Sequence, residues 1–269
     1  MKETVTDTVA IILAAGISKR MNTGTPKVLH EVCGRPMLAY VLDACRAIGI
    51  GKIFVVVGFG AELVKEYFND DKDIIWVLQS EQKGTGHAVL CCKDLLKDFT
   101  GKTFVLCGDG PLIRPQTLQK LLETHNGTVA ASLATAILDD PTGYGRIIRD
   151  ANGSLKGIVE HKDCTGRQLK IKEVNPSYYL FDNQKLFEVL GEVKNNNVQK
   201  EYYLTDVLGI MLTKGYKVAV VAAVRPEEAM SINTKDELEK LCQIMKARLD
   251  YRKRMSSEKI EYKIQNKEL

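Results

Sequence analysis

The feature that most constrains this chain is an alternation in its first half. Four short apolar runs rich in β-branched residues occur there: Val9–Ala14, Ile53–Val57, Ile74–Leu78 and Thr103–Cys107. Each is followed by a stretch with helical spacing. After Pro36, a residue suited to a helix start, Met37, Leu38, Val41, Leu42, Cys45 and Ile48 recur at helical steps, and Gly49 can end the helix. Ala61–Phe68, Gly86–Leu96 and Pro115–Thr124 read as the next three helices. A β-α-β-α order predicts a parallel sheet with helices on both faces. Right-handed crossovers then make the topology doubly wound.

Past residue 127 the pattern changes. Val129–Ala136, Arg146–Arg149, Leu155–Glu160 and Val174–Phe181 read as strands separated by turn residues. They predict mixed or antiparallel structure added to the sheet, forming the second wall of a cleft. Leu204–Thr213 reads as a helix and Val218–Val224 as a last strand. Thr234 and Glu237 make a capping-box pattern. Leu238, Leu241, Cys242, Met245 and Leu249 then form one apolar stripe, so a helix is expected to leave the body and run into the C-terminal tail. The expected division is a main domain over 1–233, with halves 8–127 and 128–233, followed by a helix and tail over 234–269.

Charge narrows the function classes. The formal net charge is +4, and residues 246–269 carry all of it, with eight Lys or Arg against four acids. A neutral body lacks the basic stripe of a nucleic-acid-binding domain, so nucleic acid is not an expected partner. No apolar run is long enough to span a bilayer, and the polar N-terminus has no signal-peptide core, so a cytoplasmic location without a membrane partner is expected. The seven cysteines contain no C-x-x-C pair and read as small core residues in a reducing compartment rather than as a zinc site.

The first apolar run leads into Leu13-Ala14-Ala15-Gly16-Ile17-Ser18-Lys19-Arg20. A small-residue turn at the carboxyl edge of a doubly wound sheet is where ligands bind, and free N–H groups there can cradle phosphates. Arg20 and Lys27 supply the cations that a triphosphate and its leaving group require. The turn is not G-x-G-x-x-G, which argues against a dinucleotide dehydrogenase.

Several further blocks keep a fixed order: Pro26-Lys27-Val28-Leu29-His30, Gln79 through Ala88, Gly108-Asp109-Gly110-Pro111-Leu112, Asp139 through Ile147, Ile158 through Asp163, and Glu201 through Asp206. Together with the first turn they make the chain resemble the sugar-nucleotide pyrophosphorylases over about residues 8–240. Within that family it is most similar to the uridyltransferase domain of bifunctional bacterial enzymes of the GlmU type. The resemblance implies a Rossmann-like mixed sheet of the nucleotidyltransferase (GT-A-like) type with an added β-rich, sugar-binding part. It implies UTP and a sugar 1-phosphate, N-acetylglucosamine 1-phosphate first among them, as substrates, with Mg²⁺ as cofactor.

The same resemblance distributes roles. Leu13, Ala14, Ala15, Gly16, Gln79, Gly84 and Thr85 are implied to bind the nucleotide. An amide such as Gln79 can both donate and accept, as a pyrimidine edge requires. Gly145, Glu160, Asn175, Tyr203 and Thr205 match the sugar pocket. Arg20, Lys27 and Asp109 are implied to be catalytic, and Asp109 and Asn233 to hold Mg²⁺, an ion that prefers oxygen ligands. His87 and His161 are read as bystanders, because a sugar phosphate near neutral pH needs no base to become a nucleophile.

The chain also departs from the family pattern. Ser18 and Lys19 replace a usual Gly-Thr, Cys107 stands where Tyr is common, and Pro176-Ser177 replaces Thr-Gly beside Asn175. These changes leave open a different sugar or polyol phosphate, another nucleotide, or a non-catalytic sensor of sugar nucleotides. The hexapeptide pattern of an acetyltransferase β-helix is absent, so no acetyl-CoA activity is expected.

Overall fold

The computed structural model describes residues 7–16, 24–230, 232 and 235–265. Its centre is a nine-stranded sheet whose main path runs β11-β7-β10-β6-β1-β4-β5. The first-half strands are β1 (Thr8–Ala14), β4 (Ile53–Val57), β5 (Ile74–Leu78) and β6 (Lys102–Cys107). They pair in parallel, with Ala10 opposite Ile53, Leu13 opposite Cys107 and Ile53 opposite Ile74. The later strands are β7 (Val129–Ile137), β8 (Gly145–Arg149), β9 (Leu155–Val159), β10 (Glu173–Asp182) and β11 (Lys217–Val221). β10 runs antiparallel to both β6 and β7 and lies between them. β8 pairs with the start of β10, placing Gly145 opposite Asn175, and β9 pairs with β8. The sheet is therefore mixed, as the reading of both halves implies.

Side chains alternate along each strand and feed two separate cores. Ala10, Ile12 and Ala14 of β1 pack on one face with α1 (Met37–Ala47), α2 (Ala61–Tyr67) and α5 (Pro115–Thr124). Val9 and Ile11 point to the other face, which is covered by α3 (Thr85–Leu90), α4 (Lys93–Leu96), α6 (Asn183–Leu190) and α7 (Thr205–Thr213). β10 obeys the same period, with Tyr178 and Leu180 on the first face and Tyr179 and Phe181 on the second.

Two local expectations change, and two elements are added. The helix expected over Gly86–Leu96 is two helices, α3 beginning at Thr85 and α4 at Lys93. The last strand ends at Val221, and Val224 instead donates its N–H to the Thr135 carbonyl of β7. α6 follows β10 without a break, and Asp182 caps it by accepting from the Lys185 N–H. A small hairpin, β2 (Glu31–Val32) and β3 (Arg35–Pro36), precedes α1, with Cys33 at φ 50° and Gly34 at φ 75° in its turn.

The last helix, α8 (Lys235–Gln265), starts packed on the body. Its stripe of Leu238, Leu241, Cys242, Met245 and Leu249 packs with Val32, Met37, Leu112 and Ile232 in a third core. Arg248 adds a 2.7 Å hydrogen bond from Nη1 to the Leu112 carbonyl. Thr234 of the expected capping box lies outside the described residues. Cys45 and Cys92 are buried as expected of core cysteines, whereas Cys33, at the hairpin tip, is exposed.

Candidate active site

The carboxyl ends of β1, β5 and β6 open on a cleft of about 500 Å³. Every residue implied to bind the nucleotide lines it: Leu13, Ala14, Ala15, Gly16, Gln79, Gly84 and Thr85. Lys27, in a short 3₁₀ turn, reaches across the cleft to Asp109 just beyond β6, with Nζ 2.5 Å from Oδ2. Both side chains are about one-fifth exposed, so this pair is neither a solvated surface bridge nor a buried one.

Gln79 is almost fully buried, and its amide nitrogen donates to the Gly84 carbonyl at 3.1 Å. The same nitrogen lies 3.0 Å from His87 Nδ1. The donor end of Gln79 is thus held by the loop it anchors. Gly84 has φ 108° and ψ 176°, a region essentially restricted to glycine. A Cβ there would fall 2.6 Å from the Tyr202 carbonyl oxygen. Three hydrogen bonds hold this close approach: Tyr202 N–H to Lys83 O, Gly86 N–H to Tyr202 O, and Leu204 N–H to Thr85 Oγ1.

Two smaller cavities adjoin the cleft. One, of about 300 Å³, is lined by Gly145, Glu160 and Asn175 together with Asp109. The other, of about 190 Å³, is lined by Glu160, Tyr203 and Thr205. Cys107 borders all three spaces. The structure therefore brings the two sets of residues implied by the sequence together around the end of β6, with Leu13 and Thr85 of the first set also lining the 190 Å³ cavity.

The second side is hydrogen-bonded within itself. Burial raises the Glu160 carboxyl above its ordinary range, and Asp206, Asp163 and Glu201 push the same way. The Thr205 hydroxyl opposes that shift by donating to Glu160 Oε1 at 3.1 Å. Tyr203 accepts from Gln199 Nε2 at 2.9 Å, and burial raises its phenol to about 12. Asn175 donates to the Tyr179 hydroxyl at 2.5 Å and accepts from the Ser177 N–H at 3.0 Å. These bonds fold β10 into a bulge, where its register with β7 shifts between Val174 and Tyr178. Ser177 in that bulge has φ 65°, a left-handed conformation that costs a non-glycine residue on the order of 1–3 kcal/mol. Burial pushes the Cys107 thiol up to about 12, so it stays protonated near neutral pH.

Arg20 and Asn233 lie outside the described residues, as do Ser18 and Lys19. His161 Nδ1 faces the buried Arg146 guanidinium at 3.4 Å. The structure adds residues to which the sequence reading gave no role in the site. Lys162, Gln82, Gln199 and Glu201 line the larger cleft, and Glu237 from α8 reaches the 300 Å³ cavity. Lys162 and Glu201 belong to ordered motif blocks, which was the available signal. Gln199 gave none, because it comes from an irregular segment. A cation beside a carboxylate, small-residue backbone on one side and polar side chains on the other suit a phosphate-bearing ligand held next to a polyhydroxylated one.

The chain is similar to known proteins over most of its length. The profile of the MobA-like NTP transferase domain matches residues 10–170. The bifunctional protein GlmU of Clostridium botulinum is 46% identical over 244 residues, covering 90% of this chain and 53% of that protein. The proteins of the same name from Clostridium acetobutylicum and Clostridium beijerinckii are each 46% identical over 242 residues, again covering 90% of this chain. The chain thus spans about half the length of these relatives.

Proposed function

The chain belongs to the MobA-like NTP transferase family, and from that premise we propose that it joins UTP to N-acetylglucosamine 1-phosphate, forming UDP-N-acetylglucosamine and pyrophosphate. One observation carries the reading. The residues implied for nucleotide and for sugar line adjoining cavities that all border Cys107, and two of them also border Asp109. A phosphate held at that junction can attack a phosphorus held across it.

In the proposed reaction the sugar phosphate attacks the α-phosphorus of UTP in line, and pyrophosphate leaves. No covalent enzyme intermediate forms. Lys27 neutralises phosphate charge next to Asp109, and Arg20 holds the departing pyrophosphate. Backbone N–H groups of the Leu13–Gly16 segment cradle the nucleotide phosphates. Gln79, Gly84 and Thr85 hold the uracil, and Gly145, Glu160, Asn175, Tyr203 and Thr205 orient the sugar. Positioning and electrostatics supply most of the rate, as in other phosphoryl transfers.

Among the described residues no group of three or more His, Cys, Asp or Glu side chains is arranged to hold a metal ion. Mg²⁺ needs no such cage, since one or two protein oxygens plus phosphates and water complete its shell. The Asp109 carboxylate, bordering both cavities, fits that role, and Asn233 would be the second ligand. When bound, the ion would screen the charges of the two substrates from one another.

The test is pyrophosphate release with UTP and Mg²⁺, comparing N-acetylglucosamine 1-phosphate, glucose 1-phosphate and N-acetylgalactosamine 1-phosphate at equal concentration. Preference for the first supports both reaction and sugar. Preference for another keeps the chemistry and rejects the sugar. No release with any of them rejects the reaction.

A further inference from the structure

Ser177 occupies a backbone conformation that glycine adopts freely and serine does not. Its φ is 65°, and the bulge that imposes this angle is fixed by the two hydrogen bonds of Asn175. A glycine would satisfy the bulge at lower steric cost. The hydroxyl must therefore be explained by something other than the fold of β10.

Its surroundings supply the reason. Ser177 lines both of the smaller cavities, and so does Cys107. The Ser177 side chain lies beside the Cys107 thiol and the Tyr179 phenol, close enough to favour the charged form of each. Cys107 is a small side chain standing at the junction of all three spaces, two of which Ser177 also lines. Tyr179 cannot turn away to become the polar group of this wall, because it is buried and its hydroxyl accepts from Asn175. The backbone of Ser177 is fixed by the bulge and the residue lines both smaller cavities, so its hydroxyl is within reach of a ligand held there.

We propose that Ser177, with Cys107 beside it, is a specificity-determining residue of the acceptor pocket, its hydroxyl bonding a hydroxyl or amide oxygen on the ring of a hexosamine 1-phosphate. This rests on the reaction proposed above. Ser177 takes no part in the chemical step, so its removal acts on acceptor binding. A neutral hydrogen bond of this kind corresponds to roughly 3- to 10-fold in affinity.

The experiment compares the wild-type chain with Ser177→Ala and Ser177→Gly, using UTP, Mg²⁺ and each of three acceptors: N-acetylglucosamine 1-phosphate, N-acetylgalactosamine 1-phosphate and glucose 1-phosphate. Alanine keeps the Cβ and its backbone cost but removes the hydroxyl, and glycine removes both. Both variants are expected to raise KM for the preferred acceptor roughly 3- to 10-fold. kcat and the KM for UTP stay within twofold of wild type, and the preference among acceptors narrows. Thermal unfolding of the glycine variant shows that any loss is not a failure to fold. Unchanged acceptor KM and unchanged preference in both variants would overturn the assignment while leaving the reaction standing. Absence of turnover by the wild-type chain with every acceptor would overturn both.

Discussion

Gly84→Ala tests whether the close approach of the two walls sustains the site. Gly84 sits at φ 108° and ψ 176°, where a Cβ costs towards the upper part of about 1–3 kcal/mol. That Cβ would also stand 2.6 Å from Tyr202 O, 2.8 Å from Tyr202 N and 2.9 Å from Glu201 Cβ. Two of these three contacts are backbone, so the loop itself must retreat. Retreat lengthens the bonds from Tyr202 N–H to Lys83 O and from Gly86 N–H to Tyr202 O, both 2.8 Å. Each contributes about 1 kcal/mol. The sum is about 4 kcal/mol, or roughly 8–16 °C in Tm by the scaling for chains of 150–250 residues. Gly127→Ala is the control, because Gly127 has φ 56° but no atom within 4 Å of the Cβ position. It isolates the backbone cost, at about 1 kcal/mol. Calorimetry reads both variants, and steady-state kinetics follows. Because the loop bearing Gln79 and Thr85 is bonded to residues 202–204, Gly84→Ala should raise KM for UTP and for the sugar phosphate together. A Tm no lower than that of Gly127→Ala, with both KM values unchanged, would refute the reasoning.

Other consequences follow from single residues. Asp109→Ala should lower kcat by roughly 100- to 1000-fold, by analogy with removing one electrostatic group at a reacting centre, with the Tm close to wild type because the residue is partly exposed; near-normal turnover would reject its assignment. Burial lowers His125 to about 4, so between about pH 4 and 6.5 the unfolded chain binds a proton that the folded chain does not. Stability should then rise by about 3 kcal/mol as pH rises across that window, and denaturant titrations of His125→Gln should lose this slope. Glu160 behaves oppositely: its folded carboxyl binds a proton more tightly than the unfolded one, so its contribution falls as pH rises from its ordinary range through the raised folded value. Glu160→Gln should therefore be at least as stable as wild type at neutral pH while raising KM for the sugar phosphate, and a lower Tm would contradict this account.

The parallel half of the sheet was legible because β1, β4, β5 and β6 are continuous apolar runs bounded by helical spacing. The insertion of β10 between β6 and β7 was not, since strand order is a long-range choice that local pattern leaves open. α6 was hidden for a different reason. Its cap, Asp182, is also the last residue of β10, so no turn residue separates strand from helix. The apolar stripe of α8 gives a helix face but not what the face meets; here it meets Val32 of an unanticipated hairpin. The site was easier to read. Ordered blocks named residues that line three adjoining cavities. What they did not disclose was internal bonding, such as the amide of Gln79 held by Gly84 and His87. Nor did they disclose neighbours from irregular chain, such as Gln199.

The position of β10 has a consequence for how such a cleft can vary. Its Tyr179 is in register with Val105 of β6, and β6 is in register with β1. Strands so paired stand about 4.8 Å apart, and that spacing acts as a ruler between the segment that follows β1 and the bulge at Asn175. Loops at either end of the ruler can exchange side chains and accept new ligands without altering the span between the two walls of the cleft. Change in what is bound is thereby separated from change in how far apart it is held.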